Sequence, residues 1–137
     1  MNRPILLVED APNDIEFALL ALKKCGVTNE VIVASDGKEA LDYLLCRASY
    51  KNRSPGNPGL VLLDLKLPRV DGITVLRTIR TTPNLASIPV VVLTASAMEA
   101  DVETTISLGI EEYVVKPMDL QQFIQTMCGL ATRFIKH

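Results

Sequence analysis

Five side chains able to handle ions or phosphoryl groups stand directly after apolar runs. Ile5-Leu6-Leu7-Val8 leads into Glu9-Asp10, Leu60-Val61-Leu62-Leu63 into Asp64, Val90 to Leu93 into Thr94-Ala95, and Tyr113 to Val115 into Lys116-Pro117. A strand interior does not tolerate an unpaired charge, so each should emerge at the carboxyl end of its strand. In open parallel α/β sheets that edge is where ligands bind. Three carboxylates gathered there repel one another, and one takes a raised pKa unless a cation joins them. Oxygen donors without His or Cys favour a hard ion such as Mg²⁺, which takes a few carboxylates and phosphate oxygens and keeps several waters. A metal beside a carboxylate, a hydroxyl and an ammonium is the equipment of phosphoryl transfer, where catalysis is largely positioning and charge neutralisation. Singly, Glu9-Asp10 reads as a solvated turn, Thr94 as a helix cap, Lys116 as a surface charge and Asp64 as a cap. Together those readings need four coincidences at four strand ends.

The elements that must position these residues alternate. Candidate strands at Ile5–Val8, Val31–Ala34, Leu60–Leu63, Val90–Leu93 and Tyr113–Val115 are separated by helical periods. The first, third and fourth are unbroken apolar runs, the pattern of strands covered on both faces of a parallel sheet. Helical faces follow as Ile15, Ala18, Leu19 and Leu22; Ala40, Leu41, Leu44 and Leu45; Ile73, Leu76 and Ile79; and Leu120, Phe123, Ile124, Met127, Leu130 and Phe134. The helix between Glu99 and Leu108 has a weaker apolar period and should be more exposed. Asn13-x-x-Glu16, Asp36-x-x-Glu39, Ser96-x-x-Glu99 and Asp119-x-x-Gln122 have capping-box form, and Gly26 and Gly109 stand where helices should stop. Short strand–helix connections imply right-handed crossovers. One connection, residues 48–59, is a long polar insertion containing Ser54-Pro55-Gly56-Asn57-Pro58-Gly59; Lys51 and Arg53 could touch a partner there, but a solvated insertion is the expected reading.

A chain of 137 residues with 48% hydrophobic residues fits one domain. The net charge of −2 and 4% aromatics offer neither a phosphate-backbone footprint nor a base-stacking platform, so nucleic-acid binding is not expected. No apolar stretch reaches membrane-spanning length, and the apolar run starting at Ile5 leaves no room for a signal peptide. Cys25, Cys46 and Cys128 lack metal-ligand spacing, and reduced thiols in a cytoplasm are the expectation.

Glu9-Asp10, Asp64, Pro68-x-x-Asp71-Gly72, Thr94-Ala95 and Lys116-Pro117, in this order, resemble the receiver domain of two-component response regulators over essentially the whole chain. The resemblance implies a flavodoxin-like, doubly wound α/β fold with five parallel strands in the order 2-1-3-4-5 and five helices. It implies that Asp64 accepts a phosphoryl group from a phosphohistidine of a sensor histidine kinase. Glu9, Asp10 and Asp64 would hold Mg²⁺, with the backbone carbonyl of Lys66 as a further ligand. Thr94 would hydrogen-bond the phosphoryl group, Lys116 would pair with it, and the small Ala95 would leave it open to attack. Tyr113 matches the switch aromatic that turns inward with Thr94, and the Lys116-Pro117 bond is expected to be cis. Where many receivers carry Asp, this chain carries Glu9.

The Glu9-Asp10 pair, the Asn13-Asp14-Ile15 helix start and the 48–59 loop are similar to the small regulators that partner bacterial and cyanobacterial phytochromes. That implies residues 1–137 as one stand-alone cytoplasmic receiver without an output domain. It also implies pairing through the fourth helix, fifth strand and fifth helix. Three other classes compete. A haloacid-dehalogenase-like phosphatase needs a second acid where Lys66 stands and an acid pair after its nucleophile. A flavin carrier needs a phosphate loop where Glu9-Asp10-Ala11-Pro12 would repel phosphate. A docking module independent of phosphorylation would have no use for the full set.

Overall fold

The computed structural model describes residues 3–54, 56–116 and 119–135. Its elements are β1 (Ile5–Val8), α1 (Pro12–Lys24), β2 (Val31–Ala34), α2 (Gly37–Leu44), a 3₁₀ turn (Ala48–Tyr50), β3 (Leu60–Leu63), α3 (Gly72–Thr81), β4 (Val90–Thr94), α4 (Glu99–Ser107), β5 (Glu112–Val115) and α5 (Leu120–Phe134). All strand pairings are parallel, in the order β2-β1-β3-β4-β5. This is the doubly wound α/β sheet expected from the alternation.

Successive strand side chains point to opposite faces. Leu6, Val8, Val61, Leu63 and Val90 meet Ala40, Leu41 and Leu44 of α2 and Val75, Leu76 and Ile79 of α3. On the other face Ile5, Leu7, Leu60, Leu62, Val91 and Leu93 meet Ala18 and Leu22 of α1 and Phe123, Met127 and Leu130 of α5. Helix α1 is therefore the neighbour of α5, which matters for the site. Strand order reverses between β1 and β3, where Val8 is opposite Leu63. Their successors, Glu9 and Asp64, are thus adjacent at the switch point, the crevice such sheets use for ligands.

Asp36 and Asp119 cap α2 and α5 as expected, accepting hydrogen bonds from the backbone N–H groups of Glu39 and Gln122 at 2.7 and 2.8 Å. Two expected caps fail. Pro12 occupies the first turn of α1, where it needs no donor, so Ala11 is the N-cap and Asn13 lies inside the helix. Ser96 donates to Asp101 at 2.6 Å, and Met98 is the N-cap of α4. Gly26 and Gly109 take φ of +77° and +75° just past α1 and α4, as helix-stopping glycines do. In α1 the buried residues are Ala18, Ala21 and Leu22, and Leu19 is exposed, one position out of the expected phase.

The insertion is largely solvated, as expected, with Ala48, Ser49, Lys51, Asn52, Ser54 and Gly56 exposed, but it is tethered to α2. Tyr50 stacks edge-on against Tyr43 at 5.2 Å and donates to Glu39 at 2.8 Å. Arg53 lies over the Tyr43 ring at 4.1 Å while its Nε donates to the Tyr43 carbonyl at 2.7 Å. Arg53 therefore ties the insertion to the end of α2. The cysteines are corrected: Cys25 and Cys128 are joined by a disulfide across a sequence separation of 103. Packing of α1 on α5 brings their Cα atoms to 5.1 Å, a proximity no local spacing reveals. Cys46 remains a free thiol.

Candidate functional site

The loop that follows β3 sets the position of Asp64. The Asp64 N–H donates to the Val8 carbonyl at 3.0 Å, extending the β1–β3 ladder by one residue and fixing where the side chain leaves the sheet. The chain then turns back onto itself, and the Gly72 N–H donates to the Leu65 carbonyl at 2.9 Å. A Cβ on Gly72 would stand 2.2 Å from the Asp64 carbonyl oxygen, so only glycine allows α3 to begin this close. Asp71 caps α3 by accepting from the Thr74 N–H at 2.8 Å, and Arg69 holds a φ of +70° within the same turn. The Pro68-x-x-Asp71-Gly72 motif is thus the brace behind Asp64.

Carboxylate oxygens of Glu9, Asp10 and Asp64 lie within 4.8 Å of one another. Glu9 and Asp64 are buried and Asp10 is exposed. Both oxygens of Glu9 are engaged. Oε2 accepts from the backbone N–H groups of Asp10 and Ala11 at 3.1 and 3.2 Å, and Oε1 accepts from Lys116 Nζ at 2.6 Å. Burial and the neighbouring Asp64 charge push the Glu9 carboxyl above the ordinary carboxylate range, although Lys116 and the backbone donor pull it down. An all-oxygen donor set of three clustered acids, one of them buried against its own charge, fits a hard divalent cation.

Lys116 follows β5, and its ammonium is shared between two acids: Glu9 Oε1 and Asp14 Oδ2, the latter at 2.9 Å. Burial alone would lower the lysine, but the hydrogen bonds to Glu9 and Asp14 and the charges of Glu9 and Asp64 outweigh it. The ammonium is therefore held above its ordinary range. The sequence points to Asp14 only as part of the Asn13-Asp14-Ile15 helix start, not as a site residue. The available signal was its place in the first turn after the acid pair, above the same sheet edge. Thr94 ends β4 fully buried, and its Oγ1 accepts from the Ser96 N–H at 3.3 Å. Tyr113, half-buried on β5, donates its hydroxyl to the Ser96 carbonyl at 2.7 Å, linking that strand to the loop after Thr94. Lys66 lies two residues beyond Asp64, and its N–H is 3.4 Å from Asp64 Oδ1. The expected cis Lys116-Pro117 bond lies outside the described residues.

Each sequence-derived site residue therefore stands at or beside the carboxyl edge. The geometry joins Glu9, Asp10, Asp64 and Lys116 directly, with Thr94 and Tyr113 joined through the loop at Ser96. Beside them a cleft of about 220 Å³ opens between α1 and α5, walled by Phe17, Ala18, Leu93 and Phe123.

Residues 5–127 match the response regulator receiver domain. The chain is 38% identical over 132 residues to the response regulator Rcp1 of Synechocystis, covering 96% of this chain and 88% of that protein. The solved Mn²⁺-bound form of Rcp1 superimposes with a TM-score of 0.86, covering 95% of this chain and 92% of that one. The bacteriophytochrome response regulator AtBRR is 52% identical, with a TM-score of 0.80 and coverage of 94% of each chain. The phosphorylated cyanobacterial phytochrome response regulator RcpA is 39% identical, with a TM-score of 0.89 and coverage of 98% of this chain and 94% of that one.

Proposed function

Because the chain belongs to the response regulator receiver family, we propose that Asp64 accepts a phosphoryl group from a sensor histidine kinase in a Mg²⁺-dependent reaction. The observation that carries this reading is the convergence of the Glu9, Asp10 and Asp64 carboxylates within 4.8 Å, with Lys116 paired to Glu9 at its rim. In the transfer an Asp64 oxygen attacks phosphorus, the bond to the donor imidazole nitrogen breaks, and an acyl phosphate forms. Bound Mg²⁺ would neutralise charge on the phosphoryl oxygens, held by Asp10, Asp64, Glu9 and the Lys66 carbonyl. Thr94 would donate to a phosphoryl oxygen, and Lys116 would supply a compensating positive charge. Incubation with labelled acetyl phosphate and Mg²⁺ tests this. A receiver gains one labile acyl phosphate per chain, a phosphatase turns the donor over without retaining label, and a docking module does neither.

The upstream partner proposed is a phytochrome kinase, which the names of this chain's structural neighbours AtBRR and RcpA support. No described helix is long and apolar enough to cross a membrane, and a kinase drawing on ATP supports a cytoplasmic place.

Cation binding should raise stability by mass action, since the unfolded chain has no such cluster. At ten times its dissociation constant Mg²⁺ adds about 1.4 kcal/mol, or roughly 5 °C in melting temperature. Asp10→Ala should remove most of that gain and Glu9→Ala less, because both Glu9 oxygens already have partners. A wild-type melting curve unmoved by millimolar Mg²⁺ would count against the cation site.

Self-association through α4, β5 and α5 is the proposed output. Met98, Ile106, Val115 and Leu120, spread across that region, are exposed, which supports the reading. Phe134 is less available than its sequence position suggests, being packed against the core that α5 shares with α1. Light scattering at tens of micromolar should give a dimer that Ile106→Glu dissociates. A wild-type monomer, with and without a phosphoryl mimic, would overturn this output.

A further inference from the structure

We propose that Asp14 is a positioning residue for the phosphoryl-transfer site: it holds the Lys116 ammonium toward α1 and so opposes its movement to a phosphoryl group on Asp64. The inference rests on the reading of Asp64 as acceptor and names a regulator of that same site.

A lysine ammonium has three donors. Two are taken here, by Glu9 Oε1 at 2.6 Å and Asp14 Oδ2 at 2.9 Å. The two acids differ in kind. Glu9 belongs to the triad that fits a cation, and its other oxygen is tied to the backbone of its own turn. Asp14 lies outside that triad, on the first turn of α1, with its side chain 39% exposed. Its only hydrogen bond among those of the described residues is with Lys116. Removing its charge therefore leaves the cation's donor set whole and changes only what restrains the lysine.

The restraint has a direction. Asp14 is carried by α1 after β1, whereas Asp64 follows β3, on the side of β1 nearer to the strand that bears Lys116. A phosphoryl group on Asp64 presents two or more anionic oxygens to the ammonium, and Asp14 competes with them. The Lys116 side chain is only 14% exposed, so the competition takes place largely out of water, where a charge pair is worth more than at the surface. Neutralising Asp14 weakens the competitor and favours the phosphoryl-bound arrangement. Restoring the carboxylate on a longer arm restores the competitor.

The test is titration with beryllium trifluoride, an acyl-phosphate mimic, at saturating Mg²⁺, followed by the backbone amide signals of Thr94 and Ala95. Asp14→Asn should bind the mimic three- to tenfold more tightly than wild type, and Asp14→Glu should return to within twofold. Glu16→Gln removes a charge two residues along α1 and should also stay within twofold. Mg²⁺ affinity without the mimic should not tighten in Asp14→Asn, which separates the lysine's role from a change in the cation site. Unchanged or weaker binding of the mimic by Asp14→Asn overturns the proposal, as does an equal gain in Glu16→Gln. A wild-type protein that fails to bind the mimic with Mg²⁺ present would instead remove the acceptor reading on which the proposal stands.

Discussion

Asp64→Asn is expected to bring phosphoryl incorporation from acetyl phosphate and Mg²⁺ down to background, at least a hundredfold below wild type. Its apo melting temperature should hold or rise. The amide is nearly isosteric with the carboxylate, so the ladder bond from the Asp64 N–H to Val8 and the brace at Gly72 are untouched. It has no carboxylate oxygen from which to form an acyl phosphate, and chemistry stops there. It also removes one of three negative charges lying within 4.8 Å of one another. Two unit charges at such a separation interact by roughly 3 kcal/mol at an effective dielectric of about 20, partly offset here by Lys116. Relief of that repulsion also frees Glu9, whose carboxyl the Asp64 charge helps to push upward. Label retained at wild-type level, read by phosphate transfer and intact mass, would show that another side chain is the acceptor.

Opening the Cys25–Cys128 bond should produce a large stability change without touching the site. The bond closes a loop spanning a separation of 103 residues and so restricts the unfolded ensemble. Disulfides of this kind contribute about 2–4 kcal/mol, which in a domain of this size corresponds to roughly 8–15 °C in melting temperature. Melting curves with and without dithiothreitol measure it. Cys128→Ser should melt near the reduced wild type and be indifferent to reductant, and Cys46→Ser should keep the full difference. Identical curves for oxidised and reduced wild type would mean that the pair contributes nothing to stability.

The sheet was legible because its three central strands, β1, β3 and β4, are buried on both faces. Ile5–Val8 and Leu60–Leu63 are unbroken apolar runs, and both are fully buried in the structure. The site was legible for the same reason: a charge closing such a run marks the strand's end and must face the crevice. Glu9 and Asp64 needed only the parallel register between Val8 and Leu63 to become neighbours. What escaped is what depends on tertiary distance. Arg80 donates to the carbonyls of Leu108, Gly109, Ile88 and Ala86, tying the end of α4 to the chain before β4. Backbone acceptors carry no sequence signature, so nothing pointed to it. Asp14 became visible only when α1 and the segment after β5 were seen to meet. Asn13 and Ser96 misled as caps because Pro12 and Asp101 redirected the local hydrogen bonding. Leu19 misled because helical phase is fixed by what α1 packs against, and the small Ala21 took the buried position.

The glycine behind Asp64 has a bearing on how variant libraries of this protein would be interpreted. Every substitution at Gly72 places a carbon 2.2 Å from the Asp64 carbonyl and 2.6 Å from the Leu65 Cα. Neither atom can yield as the tip of a flexible side chain would. In a screen scored by signalling output, position 72 would therefore join position 64 among those admitting a single amino acid. Yet one residue is indispensable for the bond it makes and the other for the volume it leaves empty. Intolerance to substitution measures constraint without naming its kind, and a genealogy of such proteins would preserve both letters equally well.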